Sequence, residues 1–420
     1  MAVTGSNTVA VIGLGYIGLP TAAVLATHGA DVVGVDTNHA TVDAVNRGEV
    51  LFVEPELEIS VAGAVSQGRL RADTKTPPAD TYIVAVPTPF AEDYAADLTY
   101  IEAAADGIAE QLVGGELIIL ESTSPPGATQ HMADRILRSR RDLSLDGTGG
   151  RPVIHVAHCP ERVLPGRVMI ELVTNDRIIG GLTRTAAERA KQLYQSFCQG
   201  EIMLTDAVTA EMAKLVENSY RDVNIAFANE LSVISEQLGI DVWELIELAN
   251  HHPRVDILQP GPGVGGHCIA VDPWFIVSAV PEHARLIRTA REVNDAKPQR
   301  VIERVLSKAE RFRDPRIAVL GLSFKPDIDD LRESPARRIT AELADRLPGA
   351  SIAAVEPHIE ALPPDLAGRA NVVLTGFDEA VDGADIVVLL VDHDLFRRAD
   401  RQRLRLHEKV VIDTRGVWRS

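Results

Sequence analysis

A cysteine in a glycine-rich stretch is the part of this sequence whose residue types could do covalent chemistry. Residues 261–273 read GPGVGGHCIAVDP, so four glycines precede Cys268, and Asp272 follows it by four residues. Glycines let the backbone approach a ligand closely, and a thiolate in such an open turn is placed to act as a nucleophile. The alternative interpretation is an ordinary turn in which the cysteine is buried.

Zinc binding is a second possibility for this region. His251, His252, His267 and Cys268 lie close together in the sequence. No pair among them has the spacing of a structural zinc site, and adjacent histidines rarely bind the same metal. We therefore expect no metal here.

The N-terminal region carries a dinucleotide-binding pattern. The apolar residues 8–12 predict a buried parallel strand, which leads through GLGYIG at 13–18 into a helix over 19–28. A second strand over 31–35 ends at Asp36. The glycines permit a tight turn and close approach of a pyrophosphate to the helix N-terminus, and Asp36 would bind the ribose hydroxyls and repel a 2′-phosphate. The pattern favours NAD over NADP; the alternative is a glycine-rich turn that holds no ligand.

Polar loops follow three further predicted strands. The strands over 81–86 and 116–121 precede the loops of Thr88 and Thr123, which we expect to face the cofactor because ligands bind at the carboxyl ends of parallel strands. Both threonines could instead be turn or capping residues. A strand over 153–157 precedes Glu161, where a carboxylate could act as a base. For Glu161, a solvated loop position is the simpler interpretation.

A helical pattern over 205–238 is long enough to bridge domains or to form a dimer spine. Lys214 and Asn218 are four residues apart, as are Asn218 and Asp222, so the three side chains form a polar stripe. From the helix alone, the default interpretation of this stripe is a solvated edge. Two further helices are predicted over 241–250 and 284–310.

The strand–helix pattern then begins again. A strand over 316–320 precedes a loop that contains Lys325 and Arg332, and further strands are predicted over 351–355, 385–391 and 409–413. The two cations could bind phosphates or another anion, or could simply be solvated. We therefore predict an α/β fold with two doubly wound Rossmann-like lobes joined by a long central helix and a helical connector. The expected domains are an NAD-binding domain over 1–204, a connector with the cysteine loop over 205–310, and a C-terminal domain over 311–420, with the substrate in the cleft between lobes.

Composition excludes several classes of protein. The formal net charge of −18 argues against a broad nucleic-acid surface and against binding to anionic membranes. Three cysteines without a C-x-x-C pair provide no disulfide framework. With no secretory pattern and no apolar run long enough to span a bilayer, we expect a soluble cytoplasmic protein.

An NAD lobe combined with a nucleophilic cysteine indicates a particular oxidation. A thiolate can trap an aldehyde as a thiohemiacetal, loss of hydride gives a thioester, and water releases the acid. A simple alcohol dehydrogenase needs no thiol. The combination therefore indicates an aldehyde dehydrogenase or an enzyme that oxidises an alcohol to an acid in two steps.

Seven ordered motifs resemble the UDP-glucose/GDP-mannose dehydrogenase family across nearly the whole chain. They are VAVIGLGYIGLP, VPTP, ESTSPPG, HCPER, AEMAKLVENSYRDVNIAFANE, PGPGVGGHCIAVDP and GLSFKPDIDDLRESP. The resemblance implies that Cys268 is the nucleophile and that Lys214 and Asp272, directly or through water, take the first alcohol proton. It also implies that Lys214 and Asn218 stabilise the oxyanion and that Glu161 activates the hydrolytic water. The NAD site implied is Gly13, Gly15, Tyr16, Ile17, Gly18, Asp36, Thr88 and Thr123; the substrate site implied is Arg162, Lys214, Asn218, His252, Arg254, Gly265, Lys325 and Arg332.

The cysteine motif resembles the branch of this family that acts on 2-acetamido sugars. GGHCIAVDP departs from the GGSCFPKD form of the glucose enzymes, with Val271 before Asp272 and His267 beside the thiol. The resemblance implies oxidation at C6 of UDP-N-acetylmannosamine, with UDP-N-acetylglucosamine or UDP-glucose as alternatives. It also implies a homodimer in which Arg254 reaches the neighbouring subunit's sugar. His267 would tune the thiolate or contact the acetamido group. From another class, the alternative is a non-catalytic regulator that binds nucleotide sugars.

Overall fold

The computed structural model describes residues 8–89, 94–164, 166–266 and 268–419. The chain forms two compact units, Met1–Glu217 and Asn218–Ser420. The boundary falls inside a helix of 32 residues, Ala207–Leu238. Each unit is built on its own sheet, which is parallel throughout in unit 2 and mostly parallel in unit 1.

The strands of unit 1 are β1 (Thr8–Ile12), β2 (Asp31–Val35), β3 (Leu70–Asp73), β4 (Thr81–Val84), β5 (Leu117–Leu120), β6 (His155–His158), β7 (Arg177–Gly181) and β8 (Ile202–Asp206). Its helices are α1 (Gly18–Thr27), α2 (His39–Asn46), α3 (Leu57–Ser66), α4 (Thr99–Ala109), α5 (Ala128–Ser139), α6 (Val168–Thr174) and α7 (Arg184–Tyr194), and the long helix Ala207–Leu238 is α8. Polar side chains cap the starts of three of these helices. Asn38 accepts the N–H of Ala40 at the start of α2, Thr183 accepts the N–H of Ala186 at the start of α7, and Asp206 accepts the N–H of Thr209 at the start of α8.

The sheet of unit 1 has the order β3-β2-β1-β4-β5-β6-β7-β8. Its strands pair in parallel except β6 with β7, which are antiparallel. Ile12 of β1 pairs with Val35 of β2 and with Val84 of β4. The loops after these three strands therefore leave the same edge of the sheet, at the point where the strand order reverses.

Strand β1 separates two layers of core. Val9 and Val11 pack on the side of α1, with Leu19 and Leu25, while Ala10 and Ile12 face the other side. Helices α4 and α5 cover that second side, with their apolar residues buried against it. Burial on both faces explains why β1 reads as a continuous apolar run.

The helices of unit 2 are α9 (Val242–Asn250), α10 (Asp272–Ala279), α11 (Arg285–Ala309), α12 (Pro335–Arg346), α13 (Pro364–Ala367), α14 (Phe377–Gly383) and α15 (Asp394–Arg397). Its strands are β9 (Arg316–Leu320), β10 (Ser351–Val355), β11 (Val372–Leu374), β12 (Ile386–Leu389) and β13 (Val410–Asp413). They form a parallel sheet in the order β11-β10-β9-β12-β13, which repeats the order of the first five strands of unit 1. The predicted fold class, with two Rossmann-like sheets and a long central helix, is confirmed.

Some predicted elements differ from those observed. The helix predicted from residue 205 begins at Ala207, because the preceding residues form the edge strand β8, which the sequence analysis missed. The strand predicted over 153–157 lies at His155–His158. Strand β7 pairs antiparallel with β6, an orientation that apolar runs in a sequence do not reveal.

Candidate active site

The loop after β1 is shaped by two tightly packed glycines. Gly13 has φ +95°, and a Cβ there would lie 2.4 Å from the carbonyl oxygen of Ala85. A Cβ on Gly18 would lie 1.8 Å from the carbonyl oxygen of Gly13. Between them, apart from Gly15 itself and its two chain neighbours, no heavy atom of the described residues lies within 4 Å of a Cβ added at Gly15. An open backbone at Gly15 that leads directly into the N-terminus of α1 fits the pyrophosphate of a dinucleotide.

Asp36 lies at the end of β2, beside this loop. Its Oδ2 accepts the N–H of Leu14 at 2.9 Å, and its Oδ1 accepts the N–H of Asn38 at 2.8 Å. Each carboxylate oxygen has two lone pairs, so these bonds orient the group and leave acceptor capacity for ribose hydroxyls. The geometry therefore fits NAD at the edge that the sequence predicted.

The remaining predicted cofactor residues lie around the same edge. Tyr16 is exposed and its ring lies 4.3 Å from that of Phe52, measured between centroids, while Ile17 is the residue that precedes α1. The hydroxyl of Thr88 donates to the carbonyl oxygen of Thr123 at 2.5 Å. The structure thus brings together the loops that follow β4 and β5.

Glu211 is a buried carboxylate on α8 that was not predicted from the sequence. Its Oε2 accepts the N–H of Gly127 at 2.6 Å, and its Oε1 accepts both the N–H and the hydroxyl of Thr129, at 2.7 and 2.6 Å. These bonds satisfy the N-terminus of α5 and fix the end of the loop that contains Thr123. The signal in the sequence was its position three residues before Lys214, on the same side of the helix.

Glu161 follows β6 by three residues and is a half-buried carboxyl group in unit 1. Burial raises the pKa of Glu161 to about 7, because desolvation disfavours the charged form, and the positive charge of Lys214 offsets part of this effect. A carboxyl group with a pKa near neutrality is suited to general-base chemistry. Its Oε1 also accepts the N–H of Val163.

Arg162, a predicted substrate residue, is held within unit 1. Its guanidinium lies 2.6 Å from a carboxylate oxygen of Glu217 and donates to the carbonyl oxygen of Asp176 at 3.1 Å. Glu217 belongs to α8. These contacts link the loop after β6 to the long helix.

Unit 2 brings together the predicted catalytic residues Asn218, Cys268 and Asp272. The amide nitrogen Nδ2 of Asn218 donates to Oδ2 of Asp272 at 2.5 Å. The backbone N–H of Asp272 donates to the carbonyl oxygen of Cys268 at 2.8 Å, in the turn that begins α10. Asp272 is buried and Cys268 is exposed. Exposed Cys268 and the carboxylate that accepts the amide of Asn218 therefore lie within one turn of backbone.

The solvated-edge interpretation of the polar stripe on α8 is wrong. Lys214 and Asp222 are both buried, and Asn218 is half-buried. Asp222 accepts a hydrogen bond at 2.6 Å from Arg291, whose side chain is also buried. Buried charges require partners, so this face of α8 is built to hold polar groups in place.

Gly265 is constrained by packing. A Cβ at this position would lie 2.5 Å from the carbonyl oxygen of Glu333 and 2.6 Å from Pro335. His252 and Arg254 are exposed in the segment after α9, where Nδ1 of His252 accepts the N–H of Arg254 at 3.3 Å. His267 lies outside the described residues, so its predicted roles stay predictions.

Lys325 and Arg332 lie in the loop between β9 and α12, as predicted, and both are exposed. The guanidinium of Arg332 donates to both carboxylate oxygens of Asp330, at 2.9 and 2.7 Å. The carbonyl oxygen of Lys325 accepts the hydroxyl of Ser323 at 2.7 Å.

A buried histidine, His393, also holds this loop. Its Nδ1 accepts the N–H of Asp327 at 2.9 Å, so its Nε2 carries the proton, 3.1 Å from Oε2 of Glu356. Among the residues the structure describes, Asp327, His358 and His393 form a group whose potential ligand atoms lie within 4.8 Å of one another. Both nitrogens of His393 are engaged in fixing the loop. Of the residues named in the zinc hypothesis, His251, His252 and Cys268 are not in this group, and His267 lies outside the described residues.

The fold and the loop after β1 define a protein with a dinucleotide-binding domain and a second Rossmann-like unit. Three family models match the chain: the UDP-glucose/GDP-mannose dehydrogenase family NAD binding domain over residues 7–198, the central domain over 208–296, and the UDP binding domain over 318–420. The chain belongs to this family. It is an NAD-dependent UDP-sugar dehydrogenase, an oxidoreductase.

Relatives and solved structures agree with this assignment. The chain is 58% identical over 413 residues to an NDP-N-acetyl-D-galactosaminuronic acid dehydrogenase of Ralstonia nicotianae, covering 98% of this chain and 96% of the relative. It is 53% identical over 421 residues to the UDP-N-acetyl-D-mannosamine dehydrogenase of Escherichia coli, covering 98% and 99%. The structure of a UDP-D-ManNAc dehydrogenase from Pyrococcus horikoshii aligns with a TM-score of 0.86 at 38% identity, covering 98% of this chain and 96% of that one. The family resemblance is confirmed.

Across the described residues, no helix combines the length and the apolar character that crossing a membrane would require.

Proposed function

We propose that this enzyme oxidises the C6 alcohol of a UDP-linked 2-acetamido sugar to the uronic acid, with UDP-N-acetylmannosamine as the first candidate substrate. The observation that carries the proposal is the exposed thiol of Cys268, one turn before Asp272, whose carboxylate accepts the amide of Asn218. The mannosamine assignment is supported by the relatives from Escherichia coli and Pyrococcus horikoshii that carry this activity in their names.

We propose the following catalytic roles for the residues of this chain. Asp272 and Lys214 take the proton of the C6 hydroxyl in the first oxidation, and the Cys268 thiolate then adds to the aldehyde to form a thiohemiacetal. Lys214 and one N–H of Asn218 stabilise the oxyanion; a carboxamide has two N–H groups, and Asp272 takes one. Loss of hydride leaves a thioester on Cys268, and Glu161 removes a proton from the water that releases the acid. NAD bound at the loop after β1 of unit 1 would supply the hydride acceptor that each of the two oxidations needs.

Residues that bind the substrates are assigned by the family motifs. Gly13, Gly15, Gly18, Tyr16, Ile17, Asp36, Thr88 and Thr123 hold NAD, and Arg162, Gly265, His252, Lys325 and Arg332 bind the UDP-sugar. We propose the domain limits 1–204, 205–310 and 311–420 and a cytoplasmic location.

We also propose a homodimer. On α8, Tyr220, Phe227, Ile234 and Leu238 are exposed, and their spacing of seven, seven and four residues places them on one side of the helix. An exposed apolar stripe of this length favours contact with a second copy of the chain. In the dimer, Arg254 would reach the neighbouring subunit's substrate.

A second candidate substrate is UDP-N-acetylgalactosamine. It is favoured by the relative at 58% identity, whose name contains N-acetyl-D-galactosaminuronic acid. The two candidates differ in configuration at C2 and C4 of the sugar, and the reaction at C6 is the same.

A panel of UDP-N-acetylmannosamine, UDP-N-acetylgalactosamine, UDP-N-acetylglucosamine and UDP-glucose, followed by NADH absorbance, tests the proposal. The expected result is two NADH per sugar with the highest kcat/KM for UDP-N-acetylmannosamine. One NADH per sugar with free aldehyde would contradict the thiol mechanism. Binding of UDP-sugar without NADH production would instead support the non-catalytic regulator.

A further inference from the structure

The cysteine loop is held at its first residue by a buried amide of α8. The N–H of Gly261 donates to Oδ1 of Asn229 at 2.9 Å, and both residues are buried. The amide nitrogen of Asn229 donates in turn to Oδ1 of Asn294 on α11, also at 2.9 Å. Asn229 therefore links the start of the loop to two helices of unit 2.

A charged pair determines which way these amides face. Arg291 can only donate, and it donates to Oδ1 of Asp222 at 2.6 Å. The same carboxylate oxygen accepts Nδ2 of Asn294 at 2.8 Å. The oxygen of Asn294 must then face the nitrogen of Asn229, which leaves the oxygen of Asn229 facing the N–H of Gly261. This series of hydrogen bonds therefore ends with the oxygen of Asn229, which accepts the N–H at the start of the loop.

The other end of the loop contacts the same helix. Asp272, whose N–H donates to the carbonyl oxygen of Cys268, accepts the amide of Asn218. Asn218 and Asn229 are eleven residues apart on α8, or about 16 Å along its axis at 1.5 Å per residue. They lie on one face of the helix with Asp222, opposite the exposed apolar stripe. The segment 261–272 is thus attached to α8 at both ends.

The glycines inside the segment have no side chains with which to anchor it. They rest on other parts of unit 2 instead: Gly263 lies against Pro298, and Gly266 against the ring of Phe324. Such contacts limit how closely the loop backbone can approach the rest of unit 2. Hydrogen bonds are directional, so they fix the position of the loop within that limit. The bond between Asn229 and Gly261 is therefore important for the position of the loop.

We infer that Asn229 is a positioning residue that fixes the cysteine loop on α8, with its orientation set by Asn294 and the Arg291–Asp222 pair. The inference rests on the proposed role of Cys268 as nucleophile. Loss of the bond leaves the N–H of Gly261 buried without its acceptor, so the loop shifts towards solvent or water enters. A displacement of about 1 Å at a reacting group lowers the rate by about 10²-fold.

The test compares Asn229→Ala with Ser232→Ala. Ser232 contacts Lys297, so it joins the same two helices three residues further along each of them. For Asn229→Ala we expect kcat to fall about 10²-fold with KM for NAD unchanged. We also expect faster amide hydrogen exchange in the peptide that contains Gly261. Ser232→Ala should retain kcat within about twofold and keep the exchange protection of that peptide.

Asn229→Asp provides a second, pH-dependent test. A protonated carboxyl group has the shape of the amide and can both accept from Gly261 and donate to Asn294, whereas the ionised group can only accept. Activity relative to wild type should therefore increase as the pH is lowered through the pKa of the introduced carboxyl group. An effect that is purely structural would give no such dependence.

Two results would overturn the inference. One is wild-type kcat and wild-type exchange in Asn229→Ala. The other is an equal loss of kcat and of thermal stability in Asn229→Ala and Ser232→Ala, because that would reflect general weakening of the α8–α11 contact. If the wild-type enzyme oxidises no UDP-sugar in the panel, the proposed function fails, and the hydrogen-exchange comparison still tests the attachment of the loop.

Discussion

Glu161 is expected to control the pH dependence of acid release. Burial raises its pKa to about 7, and a base acts in its ionised form. With this pKa, roughly one carboxyl group in eleven is ionised at pH 6 and ten in eleven at pH 8. The rate should increase with pH, because the ionised, active form of Glu161 becomes more populated as the pH rises through its pKa. The rate of thioester hydrolysis should therefore increase about tenfold between pH 6 and pH 8.

Glu161→Gln removes the base and keeps a side chain of the same shape. Hydrolysis should then slow by about 10²–10⁴-fold and lose its dependence on pH over this range. The two oxidations precede hydrolysis and should still occur once. A sugar thioester on Cys268 should accumulate as a result.

The assay is rapid mixing of enzyme, NAD and UDP-sugar, followed by acid quench and intact-protein mass spectrometry. A burst of two NADH per site should coincide with an adduct on Cys268 that persists in Glu161→Gln. Glu188→Gln is the matched control, because Glu188 is a surface carboxylate of unit 1 paired with Arg184. Wild-type hydrolysis in Glu161→Gln, or an unchanged tenfold rise with pH, would refute the assignment of Glu161 as the base.

Three further predictions concern the thiol, the cofactor and the dimer. Cys268→Ser should release no acid, whereas Cys198→Ser, which changes a half-buried thiol, should stay active. Product analysis by mass spectrometry checks this, and a full yield of acid from Cys268→Ser would exclude the thioester. Asp36→Ser should raise KM for NAD by about 10–100-fold and reduce the preference for NAD over NADP, because a charged acceptor for the ribose hydroxyls is lost. An unchanged ratio of kcat/KM for the two cofactors would contradict the proposed binding of the ribose by Asp36. Phe227→Asp should shift the protein towards monomer in light scattering, whereas Val113→Asp, at an exposed apolar residue of unit 1 that is not part of α8, should leave the mass unchanged. A monomeric wild type would refute the dimer.

Much of the fold could be predicted because the relevant signals are local. Strands β1, β2, β9 and β10 coincide with apolar runs, since a parallel strand buried on both faces needs apolar side chains throughout. Strand β8 was missed because three of its five residues are exposed, and an edge strand of that kind has no continuous apolar run. The polar stripe on α8 was interpreted as solvated because its residues are polar, whereas its burial depends on distant parts of the chain. Whether Asp222 is solvated depends on Arg291, which is 69 residues further along the chain.

By itself, the sequence determined most of the elements and the chemical groups of this protein. Glycine spacing after β1, the carboxylate at the end of β2 and the cysteine among glycines are local patterns, and each limits the backbone or supplies a reactive atom directly. Tertiary structure decided the environments of those groups. Burial raises the pKa of Glu161 to about 7 although the positive charge of Lys214 opposes the rise, and a network of distant side chains attaches Gly261 to α8. Desolvation and buried hydrogen bonds depend on which distant residues meet, and only the folded chain brings them together.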